Sequence, residues 1–241
     1  MLKRGFESVA KWYMSFGVDF ASLVNDCQES TVSFLDICCG YGKLIEELAR
    51  SPRMHGITKD IKAHGIDMGW SSEHFAQLGL PGEQAASVLQ GDATDLPFPD
   101  ESFDVTNMMA GMAYIDNGLQ ALFEQYRVTR VGGVGLVYIQ KDSTDISLDE
   151  SVSNICSSIN EHFGQNIFEI YGFTSEAQAV WSSKRKPYYL DSKLIYFKRR
   201  PIRIQDFHFT FLGSESVPDT EKQGHEFEKH WRAGQYAFDG V

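Results

Sequence analysis

The chain has 241 residues, 42% of them apolar, and a net charge of −11. That length suits one large domain with an ample core. The acidic balance excludes general nucleic-acid binding, which needs clustered positive charge, and no apolar run approaches the ~18 residues of a membrane span.

The N-terminus, MLKRGFESVAKWYM, has basic residues, but Glu7 and Lys11 interrupt any apolar run. It does not read as a signal peptide, and a cytoplasmic protein is expected. Phe6, Val9, Tyr13, Phe16 and Phe20 recur at spacings of three and four, which predicts one amphipathic helix or two short ones. Val32 to Ile37 is a short apolar run ending at a glycine-rich turn, as a buried strand would. Leu44, Ile45, Leu48 and Ala49 then fit one face of a helix, with Pro52 beyond its end.

Further strands are predicted at Ala63–Ile66, Ser87–Leu89, Phe103–Met108 and Gly135–Ile139, the last preceded by a break at Gly132-Gly133. Helices are predicted at about Ser71–Leu78 and at Leu119–Val128. Strands alternating with helices mean a mainly parallel sheet covered on both faces. Leu148 to Phe163 looks helical, whereas Phe168 to Tyr189 is aromatic without clear period. Lys193–Phe197 and Ile202–Phe211 are expected to pair as an antiparallel hairpin, with a short helix near Glu221–Arg232 in a polar tail.

Cys27, Cys38, Cys39 and Cys156 form no CxxC pair, and adjacent Cys38 and Cys39 would point apart on a strand. Free thiols and no metal site are expected.

The turn after the first strand is Gly40-Tyr41-Gly42. A dinucleotide loop would carry a third glycine three residues on, where this chain has Ile45, so a pyrophosphate is disfavoured. Asp36 lies at the strand end, where a phosphate site gains nothing from a carboxylate and a cationic ligand does. S-adenosylmethionine has an α-ammonium and a sulfonium and no phosphate. A capped tight turn is the structural alternative. Asp67 falls at the end of the second strand, where it can accept from a ribose diol, and Met68 can lie on an adenine face. Asp92 can accept from the adenine amine while the backbone about Ala93 donates to a ring nitrogen. Acids ending successive strands converge on one sheet edge.

Over about residues 30 to 140 the chain resembles class I S-adenosylmethionine-dependent methyltransferases, of the type 11 group similar to ubiquinone/menaquinone-biosynthesis C-methyltransferases. The segments that carry the resemblance are LDICCGYGK, GIDMG, GDATDLPFPDESFDV and VTRVGGVGLVYI. It differs at Val131, where the family usually has proline, at Met108 and Met109, and near Ala113 and Tyr114, where members often carry histidine. The resemblance implies an α/β, Rossmann-like fold: a mainly parallel seven-stranded sheet with an antiparallel C-terminal hairpin and an N-terminal helical cover. It implies one domain over 1–241, with a helical lid at 1–30, a donor-binding core at 31–140 and acceptor-side elements at 141–241.

The expected cofactor site comprises Tyr13, Asp36, Cys38, Gly40, Gly42, Asp67, Met68, Asp92, Ala93 and Met109, with Trp12 beside Tyr13 in the wall. Tyr114 is the candidate base, ahead of His162 and His208. The expected acceptor is a small molecule in a pocket drawn from Trp181, Tyr188, Tyr189, Tyr196, Phe207, Phe209 and Phe211, or these residues pack an ordinary hairpin. The last three share one strand face, buried on the sheet or in a homodimer. Residues 184–203 hold 8 of the 22 basic residues against one acid, Asp191. A solvated hairpin loop, then an anionic acceptor or an acidic surface of a second subunit, then RNA are its readings in that order. An RNA or protein methyltransferase, or a donor-binding module without turnover, are the alternative functions.

Overall fold

The computed structural model describes residues 5–69, 86–109, 111–115, 117–139, 147–183, 192–202, 208–211 and 236–239. The N-terminal apolar stripe forms two helices, α1 (Phe6–Met14) and α2 (Phe20–Asn25). Gly17 breaks it with a left-handed φ of 80°. Asp19 then caps α2, its Oδ1 accepting from Ala21 N at 3.1 Å and Ser22 N at 3.2 Å. The start of α1 is pinned from outside, because Phe6 N donates to Glu47 Oε2 at 2.5 Å.

Seven strands make the main sheet: β1 (Thr31–Ile37), β2 (Asp60–Asp67), β3 (Ala86–Gln90), β4 (Phe103–Met109), β5 (Thr129–Ile139), β6 (Phe168–Tyr171) and β7 (Lys193–Lys198). Their order is β3-β2-β1-β4-β5-β7-β6. Pairing is parallel from β3 to β5, and β7 is antiparallel to both β5 and β6. The order reverses between β1 and β4, where an open parallel sheet leaves a crevice beyond its strand ends.

The helices α3 (Lys43–Arg50), α4 (Gly118–Val128), α5 (Ser147–Phe163) and α6 (Ser175–Ser183) complete the layers. Strand alternation feeds two cores. Val32 and Phe34 pack with α1, α2 and α3, and Leu35 and Ile37 pack with α4 and α5. Each such fully buried side chain contributes about 1.5–3 kcal/mol.

Three expectations are corrected. The antiparallel C-terminal pair in the sheet is β6 with β7, not 193–197 with 202–211. Residues His208–Phe211 form β8, which pairs antiparallel with β9 (Tyr236–Asp239) in a separate two-stranded sheet. β6 was unreadable because its four residues are too few to show a period. The glycine pair does not precede β5 but interrupts it. The register shifts between Phe103 and Val105, opposite Thr129 and Val134, and Gly132 takes φ 84°. The helices expected at 71–78 and 221–232 lie outside the described residues.

Arg199 corrects the reading of the basic stretch. Its guanidinium is 3% exposed, and Nη1 donates to Arg127 O at 2.8 Å and to Thr129 O, closing the end of α4. Residues 184–191 and Arg203 lie outside the described residues. Among the described residues no helix is long and apolar enough to cross a membrane.

Candidate functional site

The β1–α3 turn is built from three left-handed residues, Cys38 (φ 57°), Gly40 (φ 56°) and Gly42 (φ 64°). Two are glycines, and Cys38 carries the strain such a φ puts on a side chain. Gly42 is the N-cap of α3. Asp67, at the end of β2, holds this turn: Oδ2 accepts from Gly40 N and Oδ1 from Gly69 N, each at 2.9 Å. After β3, Gly91 packs so close to Ile66 that a Cβ would lie 2.7 Å from its Cδ1. Asp92 Oδ1 then accepts from Thr94 N at 2.8 Å, an Asx turn.

The following segment, Leu96–Asp100, is tied to α4. Leu96 N donates to Glu124 Oε2 at 2.8 Å. Arg127 donates to Leu96 O at 2.9 Å and Phe98 O at 2.8 Å while pairing with Glu124 at 2.6 Å and Asp100 at 2.9 Å. Those bonds to Glu124 and then to Asp100 push the Arg127 pKa up, so the clamp stays charged. It explains why the segment that reads as a chemical motif also reads as a structural one.

These strand ends surround a cavity of about 540 Å³. Among the described residues its wall includes Asp36, Cys38, Gly40, Asp67, Met68, Asp92, Ala93, Met109 and Tyr114, nine of the residues expected from sequence. Asp36 is 5% exposed, and Tyr114 stands at the mouth, 86% exposed on a short 3₁₀ turn. Gly42 and Tyr13 do not line the cavity. Gly42 serves the helix cap, and Tyr13 is fully buried behind the wall, its hydroxyl donating to Asn107 Oδ1. Trp12 turns to Tyr138 and Phe173, with ring centroids 5.2 and 6.1 Å away.

The wall also contains Val9, Cys39, Ile66, Gly69, Gly91, Asn107, Gly111 and Ile115, which sequence reasoning passed over. Asn107 had a signal, since an amide inside a strand buried on both faces requires a partner. The others had none, because their roles come from neighbours on different strands. Burial first, then Asp36 and Asp67, raises the Cys39 thiol well above its ordinary value. Burial likewise pushes Cys27 up to about 11 and Cys156 up to about 12. These three thiols are protonated at neutral pH and poor nucleophiles.

His162 is exposed at the end of α5, beside Phe163. Tyr196 packs edge-on against Tyr171 at 6.2 Å. The side chains of Trp181, Tyr188, Tyr189, Phe207, His208, Phe209 and Phe211 lie outside the described residues.

The cavity suits an adenosyl amino acid. Pockets for such ligands run to about 300–1,000 Å³, mostly apolar with a few convergent polar groups. Here Ile66, Ala93, Met68 and Ile115 supply apolar wall, and three carboxylates end or follow successive strands. Asp67 spends one bond per oxygen on the turn, and a carboxylate has about four lone-pair sites, leaving about two for a diol.

Comparison with known proteins agrees with this geometry. Residues 35–137 match the model of a family described as a methyltransferase domain. The chain is 32% identical over 142 residues to a demethylmenaquinone methyltransferase of Desulfitobacterium hafniense, covering 54% of each chain. It is 31% identical over 105 residues to that of Geobacillus stearothermophilus, covering 42% of each. The chain thus spans about half the length of these relatives. Among solved structures, a chain from the Haloferax volcanii complex of a methyltransferase with its Trm112 activator superposes with TM-score 0.50 at 17% identity. It covers 80% of this chain and 93% of that one, and supports the fold. The family match over residues 35–137, the sheet order and the acids about one cavity together make this chain similar to class I S-adenosylmethionine-dependent methyltransferases.

Proposed function

We propose that the chain transfers the methyl group of S-adenosylmethionine to a small organic acceptor. The observation that carries this is the convergence of Asp36, Asp67 and Asp92 on one mostly apolar cavity at the sheet edge where the strand order reverses. In this reading Asp36 faces the α-ammonium, and the backbone about Gly40 lies along the amino-acid chain. Asp67 accepts from the ribose hydroxyls. Asp92 accepts from the adenine amine, with Met68 and Ala93 on the ring.

The acceptor enters past Val9, Met109 and Tyr114. An electron pair on its oxygen, nitrogen or ring carbon attacks the methyl carbon in line, the carbon–sulfur bond breaks, and the electron pair returns to sulfur, leaving the neutral thioether of S-adenosylhomocysteine. Holding the two partners in line supplies much of the rate gain. A base is needed only where the acceptor atom must lose a proton. Tyr114, exposed at the mouth, is the candidate to take it or to line the acceptor.

The relatives' name makes a demethylmenaquinone-like ring the first acceptor to assay. Calorimetry with S-adenosylhomocysteine tests the donor half, and formation of that product from the donor with a panel of aromatic acceptors tests the reaction. No binding at millimolar ligand refutes the reading. Binding without turnover on any acceptor favours the non-catalytic module. A salt-sensitive complex with RNA favours the RNA alternative.

A further inference from the structure

Asp36 and Asn107 are direct partners in the β1–β4 register. Asp36 has the parity of Phe34, and Asn107 that of Val105 and Met109, side chains that pack with the apolar residues of α1. Asn107 Nδ2 donates to Asp36 Oδ1 at 2.5 Å, and Asn107 Oδ1 accepts from the Tyr13 hydroxyl. Tyr13 and Asn107 are fully buried. Asp36 and Asn107 reach the cavity wall, and Tyr13 stands behind them.

An amide has one donating end and one accepting end. With the Tyr13 hydroxyl feeding the oxygen, the NH₂ is turned onto Asp36. The reverse amide would set an acceptor against the carboxylate, which a buried site tolerates poorly. The hydroxyl therefore sets the amide, and the amide sets the orientation of the carboxylate.

We infer that Tyr13 is a positioning residue for the amino-acid end of the donor, acting through Asn107 on Asp36. This rests on the donor reading above. It gives α1 a role beyond cover: the helix aligns the one carboxylate that meets the cationic end of the ligand, and leaves the adenosine end to β2 and β3.

The test compares two ligands on the full chain by calorimetry. S-adenosylhomocysteine has the α-amino acid, and 5′-methylthioadenosine keeps the adenosine and thioether without it. Tyr13→Phe, which removes one oxygen, is expected to weaken S-adenosylhomocysteine about tenfold and leave methylthioadenosine within about twofold. Asn107→Leu should give the same selective loss, and serves if Tyr13→Phe does not fold. Equal weakening of both ligands, which a packing role would produce, overturns the inference, as does unchanged S-adenosylhomocysteine affinity. A parent chain that binds neither ligand refutes the donor reading, and the inference falls with it.

Discussion

Replacing Asp67 with alanine removes a carboxylate that has two tasks. In the folded chain it accepts from Gly40 N and Gly69 N at 2.9 Å each, and in the proposed complex it also accepts from the ribose diol. The turn bonds exist with and without ligand, so their loss appears as stability. Asp67 is only partly buried, and water replaces much of what is lost, so about 1 kcal/mol, or 2–4 °C in melting temperature, is expected. The diol bonds appear only in the complex. Bonds to a charged group are worth about 1.5–3 kcal/mol each, discounted here for a carboxylate that is hydrated before binding, so two give about 2–3 kcal/mol. That is a weakening of about 30- to 150-fold. Asp67→Asn separates the tasks, since its single amide oxygen accepts and its NH₂ opposes one of the turn N–H groups. Calorimetry with S-adenosylhomocysteine and a thermal melt read both quantities. Affinity within twofold of the parent in both variants would show that Asp67 does not meet the ribose.

Arg127→Met leaves Glu124 nearly buried without its cation and frees the carbonyls of Leu96 and Phe98, so a loss of about 3 kcal/mol is expected. A loss under about 1 kcal/mol in urea unfolding would contradict the clamp. Gly135 faces Phe197 across β5 and β7, and a Cβ there would lie 2.0 Å from the ring. Gly135→Ala should destabilise by about 1–3 kcal/mol. Combined with Phe197→Leu it should cost less than the sum of the two, and additive losses would rule the contact out. His64 is held below its ordinary pKa by burial and then by Lys62. The unfolded chain therefore takes up this proton first, and stability falls as pH drops from about 6.5 toward the lower folded value. His64→Gln should flatten the melting temperature across that window, and an unchanged slope would assign it to other groups.

The cavity-wall positions of the residues proposed for the donor were legible because they are local. Asp36, Gly40, Asp67 and Asp92 each sit at the end of a strand whose apolar run is visible in the chain, and parallel strands carry their ends to one edge by topology alone. What the sequence could not decide depends on contacts between distant residues. Tyr13 and Asn107 are 94 positions apart, and only the docking of α1 over β4 turns a supposed wall residue into one behind the wall. Arg199 belongs by composition to a basic stretch, yet its guanidinium caps carbonyls 70 and 72 positions away. The pairing of β7 with β5 and β6 in place of a local hairpin is of the same kind. Periodicity reports which face of an element is buried, but not against which partner. That choice is made by packing and by the requirement that buried polar groups find hydrogen bonds.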